Sequence, residues 1–498
     1  MTASADEVAA ALPCDTGGGQ SARVVPRRII LDVSTVCRWT GPVVGIVRVE
    51  SQLARWAGAH LDAVVFAFFD PVSQRYLRMR PGFFMQILQG ECAIATWELP
   101  DAGMQRRHFE ERLAPAIQPA ARWLLHFRRE VLMALERRRT TTRNPRVRQW
   151  IDTAQRSLMS EKYQRMMVQS DGSRRSMLTP AQAFGEPVEL GPNDILVCAG
   201  SSWGTSNIEA IARQKRASGF QFVTLCFDLI PILFRQHYRE HDTANFERHF
   251  RHAFPIADLV IVNARRIEQD VRDWCVAQGL PAPRTAVIPL GSDGAKRTTG
   301  TTALARFGLE RGRYIPFVST IEPRKGHRVV YEAWCNLVRE GIPQARGFKL
   351  VFVGRPGWMV DELLARLRSG EGSEGTLVLI ADADDAALAA LYENAAFCVY
   401  PSEYEGYGLP IIEAFNHGKA VIASTGGAIP EVVGELSPCL DPHDVAAWRA
   451  TLRQWLTDDT ARAGYETKIR ERFHNMTWDE VAARFFAEVG SLAPPSGP

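Results

Sequence analysis

No two of the nine cysteines stand as a C-x-x-C pair, so neither a zinc ribbon nor a disulfide framework is expected. They read as single thiols of a reducing compartment. No run reaches the ~18 apolar residues of a membrane span. The opening stretch, MTASADEVAAALPCDTGGGQ, has acids and glycines where a secretory signal needs basic residues and an apolar core. Residues 1–23 therefore read as a disordered leader. A net charge of +3 over 498 residues gives no global case for nucleic acid. What remains is the ordinary balance of a globular protein, 46% hydrophobic and 23% charged, long enough for roughly three domains or two large ones. A cytoplasmic enzyme is the expectation.

Two regular series of short apolar runs are present. RRIILDVST, DAVVFAFFD, ECAIATWEL, DILVCAG, FQFVTLCFD, ADLVIVNA and RTAVIPLG form the first; YIPFVST, FKLVFVG, GTLVLIA, AAFCVYPS and KAVIAST form the second. Near-continuous apolar strands alternating with helical segments predict parallel sheets covered on both faces. The division expected is 24–300 for a first domain, 301–475 for a second, and 476–498 for a terminal helix and tail. The polar GSDGAKRTTG stretch (291–300) is the expected hinge.

The first domain carries an anomaly, an expected basic helical insertion at about 105–185. Residues 122–175 hold 13 arginines, one lysine and five acids, a net +9 against −6 for the rest. Trp123, Leu124, Phe127, Val131, Leu132 and Leu135 recur among them at helical spacing. Two readings stay open: a solvated insertion, or a surface for peripheral contact with anionic membrane at the inner face of the cell membrane.

In open parallel sheets, ligands bind beyond the carboxyl ends of the strands. In the second series those ends hold the unusual residues. Arg324 and Lys325 follow one strand, beside Gly326, where two cations can hold a diphosphate. PSEYEGYGLPIIEAF follows another. Its Gly-rich turn leads into a Pro-led helix whose N-terminus favours an anion. Glu405 and Glu413, eight positions apart, are suited to hydroxyl recognition.

These motifs together resemble the family-4 retaining glycosyltransferases of the GT-B fold. The resemblance rests on EYEGYGLPIIEAF, STIEPRKGH, CFDLIPI, ADLVIVNA, VIPLGSD and GGAIPEVVG, with GPVVGIVRVE as an acceptor-side glycine loop. It covers about 195–480 and 28–55 and leaves 56–190 outside. It implies two doubly wound Rossmann-like domains facing across a cleft. It implies that Arg324 and Lys325 bind the donor diphosphate and that Glu405 faces the donor sugar. Gly406, Tyr407, Gly408 and Leu409 would offer N–H groups, Glu413 would bind the ribose, and Gly45 would border the donor from the first domain. Asp382 to Asp385 would lie near the base.

Many members of the family it resembles have His where this chain has Phe227, which leaves Asp228 as the nearby polar candidate. The common family pattern has Arg where this chain has Thr320, so Arg324 replaces that cation if two are needed. The implied donor is a nucleotide diphosphate sugar, with GDP-mannose as the best guess, and the implied acceptor is a glycan or lipid-linked saccharide. No cofactor or metal is expected: Asp382-Ala383-Asp384 reads as a helix cap, and the histidines at 237, 241, 249 and 252 read as surface or core groups. The alternatives are a nucleotide-sugar epimerase of related architecture and a non-catalytic nucleotide-sugar-binding or scaffold protein.

Overall fold

The structure is a computed structural model. It describes residues 27–39, 43, 45–80, 82–95, 99, 118–142, 144–159, 175–294 and 302–493. The leader at 1–23, Gly41, positions 105–117 and 160–174 of the insertion, 295–300 of the hinge and the last five residues lie outside the described residues.

The first domain contributes β1 (Arg28–Asp32), β2 (Val64–Asp70), β3 (Arg75–Met79), β4 (Cys92–Ile94), β5 (Ser176–Leu178), β6 (Phe184–Pro187), β7 (Asp194–Cys198), β8 (Gln221–Cys226), β9 (Leu259–Val262) and β10 (Thr285–Val287). Eight of these form one sheet in the order β10-β9-β8-β7-β1-β2-β3-β6. From β10 to β2 all pairings are parallel. β7, β8 and β9 are buried along their whole length, because helices cover both faces. The far edge departs from the expected doubly wound pattern. β3 pairs antiparallel with β2, and β6 antiparallel with β3. ECAIATWEL supplies only β4, which pairs with β5 outside the main sheet.

The described part of the insertion is a helical hairpin, Gln118–Thr141 and Pro145–Leu158. Asn144 caps the second helix by accepting the Arg146 N–H at 3.0 Å, with Pro145 at its first position. Arg139 reaches Asp152 at 2.9 Å between the helices. The segment after it is not helical insertion throughout, as expected, but returns the chain through β5 and β6 to the sheet.

The second domain holds β11 (Tyr314–Val318), β12 (Lys349–Val353), β13 (Leu377–Ile380), β14 (Cys398–Tyr400), β15 (Val421–Ser424) and β16 (Cys439–Leu440). β11-β12-β13 and β14-β15-β16 are parallel ribbons. They meet where β14 runs beside β11 and the Ala396 N–H donates to Tyr314 O at 3.0 Å.

The chain then crosses back. The helix Trp478–Gly490 packs into the core of the first domain through Trp478, Val481, Phe485 and Phe486, with Phe486 stacked on Trp56 at 5.5 Å. A capping box between Thr477 and Glu480 starts this helix. The return segment lies against the outgoing one: the Ser292 N–H donates to Met476 O at 3.0 Å. Among the described residues, no helix is long and apolar enough to cross a membrane.

Candidate active site

The two domains meet at the carboxyl ends of β8, β11 and β14. After β14, the turn Ser402–Gly408 passes against the first domain. A Cβ on Gly406 would collide with the Phe227 carbonyl oxygen and stand 3.0 Å from Asp228 Cβ. Gly408 is in the left-handed region at φ 112° and opens the helix Leu409–Asn416, with Pro410 in its first turn. Among the described residues, no acceptor takes the N–H of Gly406, Tyr407 or Gly408. These free donors and the helix N-terminus give one site positive potential.

Glu405 stands at the centre, buried. Lys325 Nζ donates to its Oε1 at 2.7 Å, and Arg324 Nη1 lies 3.1 Å from Oε2. Burial opposes the charge, but Arg324 and then Lys325 outweigh it and hold the carboxyl down at about 2. Both cations come from the short turn Pro323–Lys325 after β11. Arg324 also donates to Tyr404 O and lies 3.7 Å from Glu322. The sequence places both cations on a diphosphate; the structure places both on Glu405, with Arg324 the deeper.

Asp228 faces this group from the end of β8. Its Oδ1 accepts the Ile230 N–H at 3.0 Å, the strand-end capping role. Burial raises its pKa even though Arg324 pulls the other way. Phe227, next to Asp228, sends its side chain into the first domain's core.

A small cavity beside the turn, about 80 Å³, lies between the domains and is lined by Arg48, Asp293, Asp385, Tyr392, Glu413 and His417. Glu413 accepts from Tyr392 Oη at 3.2 Å and from Arg48 Nη1, across the domain boundary, at 3.4 Å. Burial raises the Glu413 carboxyl despite Arg48. Arg48 belongs to the helix Gly45–His60; Gly45 begins it at φ 53°, a left-handed conformation. Asp385, of the stretch Asp382 to Asp385, lines this cavity beside Glu413. Asp384 caps its helix by accepting the Ala387 N–H at 2.8 Å, and Asp382 pairs with Arg306. Among the described residues, no group of three or more His, Cys, Asp or Glu is placed to hold a metal ion.

Sequence reasoning missed the contacts that close the cleft. Glu431 of the second domain accepts the N–H groups of Arg265 and Arg266 at 3.0 and 3.1 Å, at the start of a first-domain helix. Tyr404 donates to the buried Asp270, and Arg266 Nε reaches the same hydroxyl at 3.1 Å. His237 meets Glu403 at 2.7 Å, and Trp358 Nε1 donates to His237 O at 2.6 Å. Tyr407 Oη donates to Leu290 O at 3.1 Å. The acidic residue at the head of GGAIPEVVG's helix was the one visible signal. Of the remaining histidines, His249 is buried on Ser202 at 3.1 Å, a core group as expected.

Two facing Rossmann-like domains, with a charged cleft at their strand ends, define a GT-B fold. Residues 305–472 match the family described as Glycosyl transferases group 1 and form a domain of that type. The chain is 36% identical over 181 residues to "O-antigen chain mannosyltransferase B" of Escherichia coli, covering 36% of this chain and 46% of that protein. It is 28% identical over 254 residues to "Serotype-specific mannosyltransferase WbdA" of Escherichia coli, covering 48% and 30%. It is 30% identical over 244 residues to "MMP alpha-(1->4)-mannosyltransferase" of Mycolicibacterium hassiacum, covering 48% and 54%. The chain thus spans about half, or less, of the length of these relatives. The Anabaena Alr3699/HepE structure in complex with UDP and glucose shares the fold at a TM-score of 0.54 and 14% identity, covering 94% of this chain and 100% of that one.

Proposed function

We propose that this protein is a retaining hexosyltransferase that moves mannose from GDP-mannose to a glycan or lipid-linked saccharide. The observation that carries the reading is the ionised Glu405 held between Arg324 and Lys325 at a helix N-terminus. Breaking a sugar–diphosphate bond leaves negative charge on the departing diphosphate. Lys325, Arg324 and the N–H groups of Gly406 to Gly408 supply fixed positive charge for it, which is the largest contribution such a site makes. No metal is then needed for that step. Glu405 orients the donor sugar hydroxyls beside the reacting carbon, with Asp228 facing them from the first domain. Glu413 takes the ribose hydroxyls, steered by Arg48. The three relatives named as mannosyltransferases support mannose as the sugar.

Slow release of GDP from GDP-mannose without acceptor, in EDTA, tests the reading. Release from GDP-mannose and not from UDP-glucose is the expected result. Failure to bind any nucleotide sugar at millimolar concentration would sink it.

The proposal extends to the helical hairpin. Trp123, Leu124, Phe127 and Trp150 are all more than half exposed, on helices rich in arginine. Trp123 stacks on Phe127 at 5.6 Å. Aromatic groups interleaved with cations suit an anionic bilayer at the inner face of the cell membrane, where a lipid-linked acceptor resides. Salt-sensitive co-sedimentation with phosphatidylglycerol vesicles is expected, and its loss in a Trp123→Ser/Phe127→Ser variant; unchanged sedimentation of that variant counts against the hairpin.

A further inference from the structure

The turn that carries Glu405 is held from across the cleft, residue by residue. His237 meets the Glu403 side chain at 2.7 Å, Gly406 packs on the Phe227 carbonyl, and Tyr407 Oη donates to Leu290 O at 3.1 Å. These partners come from the loop after β8, the end of β8 itself and the end of β10. Tyr404 reaches deeper than its neighbours. Its buried ring joins the core on one face of the first domain's sheet, with Ile230, Phe254 and Val262, and tilts onto Phe234 at 5.0 Å. Among the described residues, Ala428 is the one other second-domain member of that core.

The far end of the side chain is fixed by charge. Tyr404 Oη donates to the buried carboxylate of Asp270 and accepts Arg266 Nε–H at 3.1 Å. Arg266 also pairs with Asp270 at 3.0 Å, and its backbone N–H is held by Glu431 at 3.1 Å. The hydroxyl thus serves as donor and acceptor at once. A phenylalanine would fill the same hole in the core, so the hydroxyl adds direction rather than volume.

The near end of the residue is the donor site. The Tyr404 carbonyl accepts from Arg324, and the Arg324 carbonyl accepts the Glu403 N–H at 2.8 Å. The next residue is Glu405, whose carboxylate lies between Arg324 and Lys325 and whose carbonyl accepts the Ala428 N–H at 2.9 Å. One peptide therefore separates a side chain seated in the first domain from the carboxylate and cation of the second. Misplacing reacting groups by about 1 Å costs on the order of 10²-fold in rate.

We propose that Tyr404 is a positioning residue: its hydroxyl, gripped by Asp270 and Arg266, aligns Glu405 and Arg324 with Asp228 when the domains are closed. The inference rests on the glycosyl-transfer reading above.

Tyr404→Phe tests it, since the ring stays in the core and Asp270 keeps its guanidinium. The kcat for release of GDP from GDP-mannose should fall at least tenfold, with KM and the calorimetric GDP affinity within twofold of wild type. Hydrogen exchange read by mass spectrometry should be at least tenfold faster at the amides of 402–408 and unchanged in β7 and β12. Asp270→Asn should give the same kcat loss, and the double variant no further loss. A Tyr404→Phe protein with wild-type kcat overturns the proposal, as do losses that multiply in the double variant. Exchange that rises equally throughout both domains marks a merely structural role and overturns it too. If wild-type protein releases no GDP from any nucleotide sugar, the glycosyl-transfer reading falls and exchange alone decides the grip: faster exchange confined to 402–408 supports it, and unchanged exchange there overturns it.

Discussion

The backbone of Gly406, in the second domain, touches the carbonyl of Phe227 in the first so closely that one added methyl group collides with it. The closed cleft therefore depends on a missing side chain. Gly406→Ala forces backbone apart from backbone, where neither can yield cheaply. Overpacking of this kind costs about 1–3 kcal/mol, here charged to domain closure. Turnover should fall at least tenfold with the thermal midpoint of either domain little changed. Small-angle scattering should show a wider molecule; wild-type turnover would contradict the contact.

Glu405 predicts an acid limb. Its carboxyl is held at about 2, below its ordinary 4.5, so the stabilisation it contributes is complete above pH 4.5 and is lost as pH falls toward 2. The full span is roughly 3 kcal/mol. Glu405→Gln should flatten that part of a urea-melt series. It should also release Lys325 and Arg324 to a diphosphate, so GDP should bind more tightly while turnover drops by about 10²-fold or more.

Glu50 predicts the opposite sign. It is buried under the first domain's strand ends, where it accepts the Val36 N–H at 2.8 Å. Burial, then the charge of Asp32, push its carboxyl up to about 8. A raised value means its contribution is whole below pH 4.5 and is lost as pH rises to 8, at up to about 1.4 kcal/mol per pH unit. Glu50→Gln keeps the shape and removes the titration. The variant should match wild type at pH 4.5 and exceed it at pH 8 in chemical denaturation. Parallel curves at both pH values would show that Glu50 is ionised in the fold.

Arg48 predicts coupling between domains. It is the first-domain cation on Glu413. Arg48→Ala should push the Glu413 carboxyl further up and weaken GDP about tenfold in calorimetry, with the loss smaller for free mannose-1-phosphate, which lacks the ribose. Equal losses for both ligands would place Arg48 on the phosphate instead.

The strands were legible where burial is two-sided. DILVC and LVIV are apolar throughout because both faces are covered, and no register is needed to see them. RYLRM and FGEP were not legible, since an edge pairing needs few apolar residues. In the site, Glu405, Arg324 and Lys325 were visible as motifs, but their mutual pairing was not. Motifs report which groups a ligand needs, and say nothing of what those groups touch without it. The links Tyr404–Asp270, His237–Glu403 and Arg48–Glu413 join residues 134, 166 and 365 positions apart. They exist only because two separately folded sheets close on each other, which no local pattern encodes.

Because Trp478, Phe485 and Phe486 complete the core of the first domain, that domain is not finished when its own strands leave the ribosome. Nearly two hundred residues separate β10 from the helix that seals it. At synthesis rates of 5–20 residues per second, the nascent first domain waits roughly 10–40 s with an apolar groove open. Its partner domain closes its own core with Trp448, Trp455 and Ile469, just ahead of that helix. The two domains are thus completed almost together, at the end of translation.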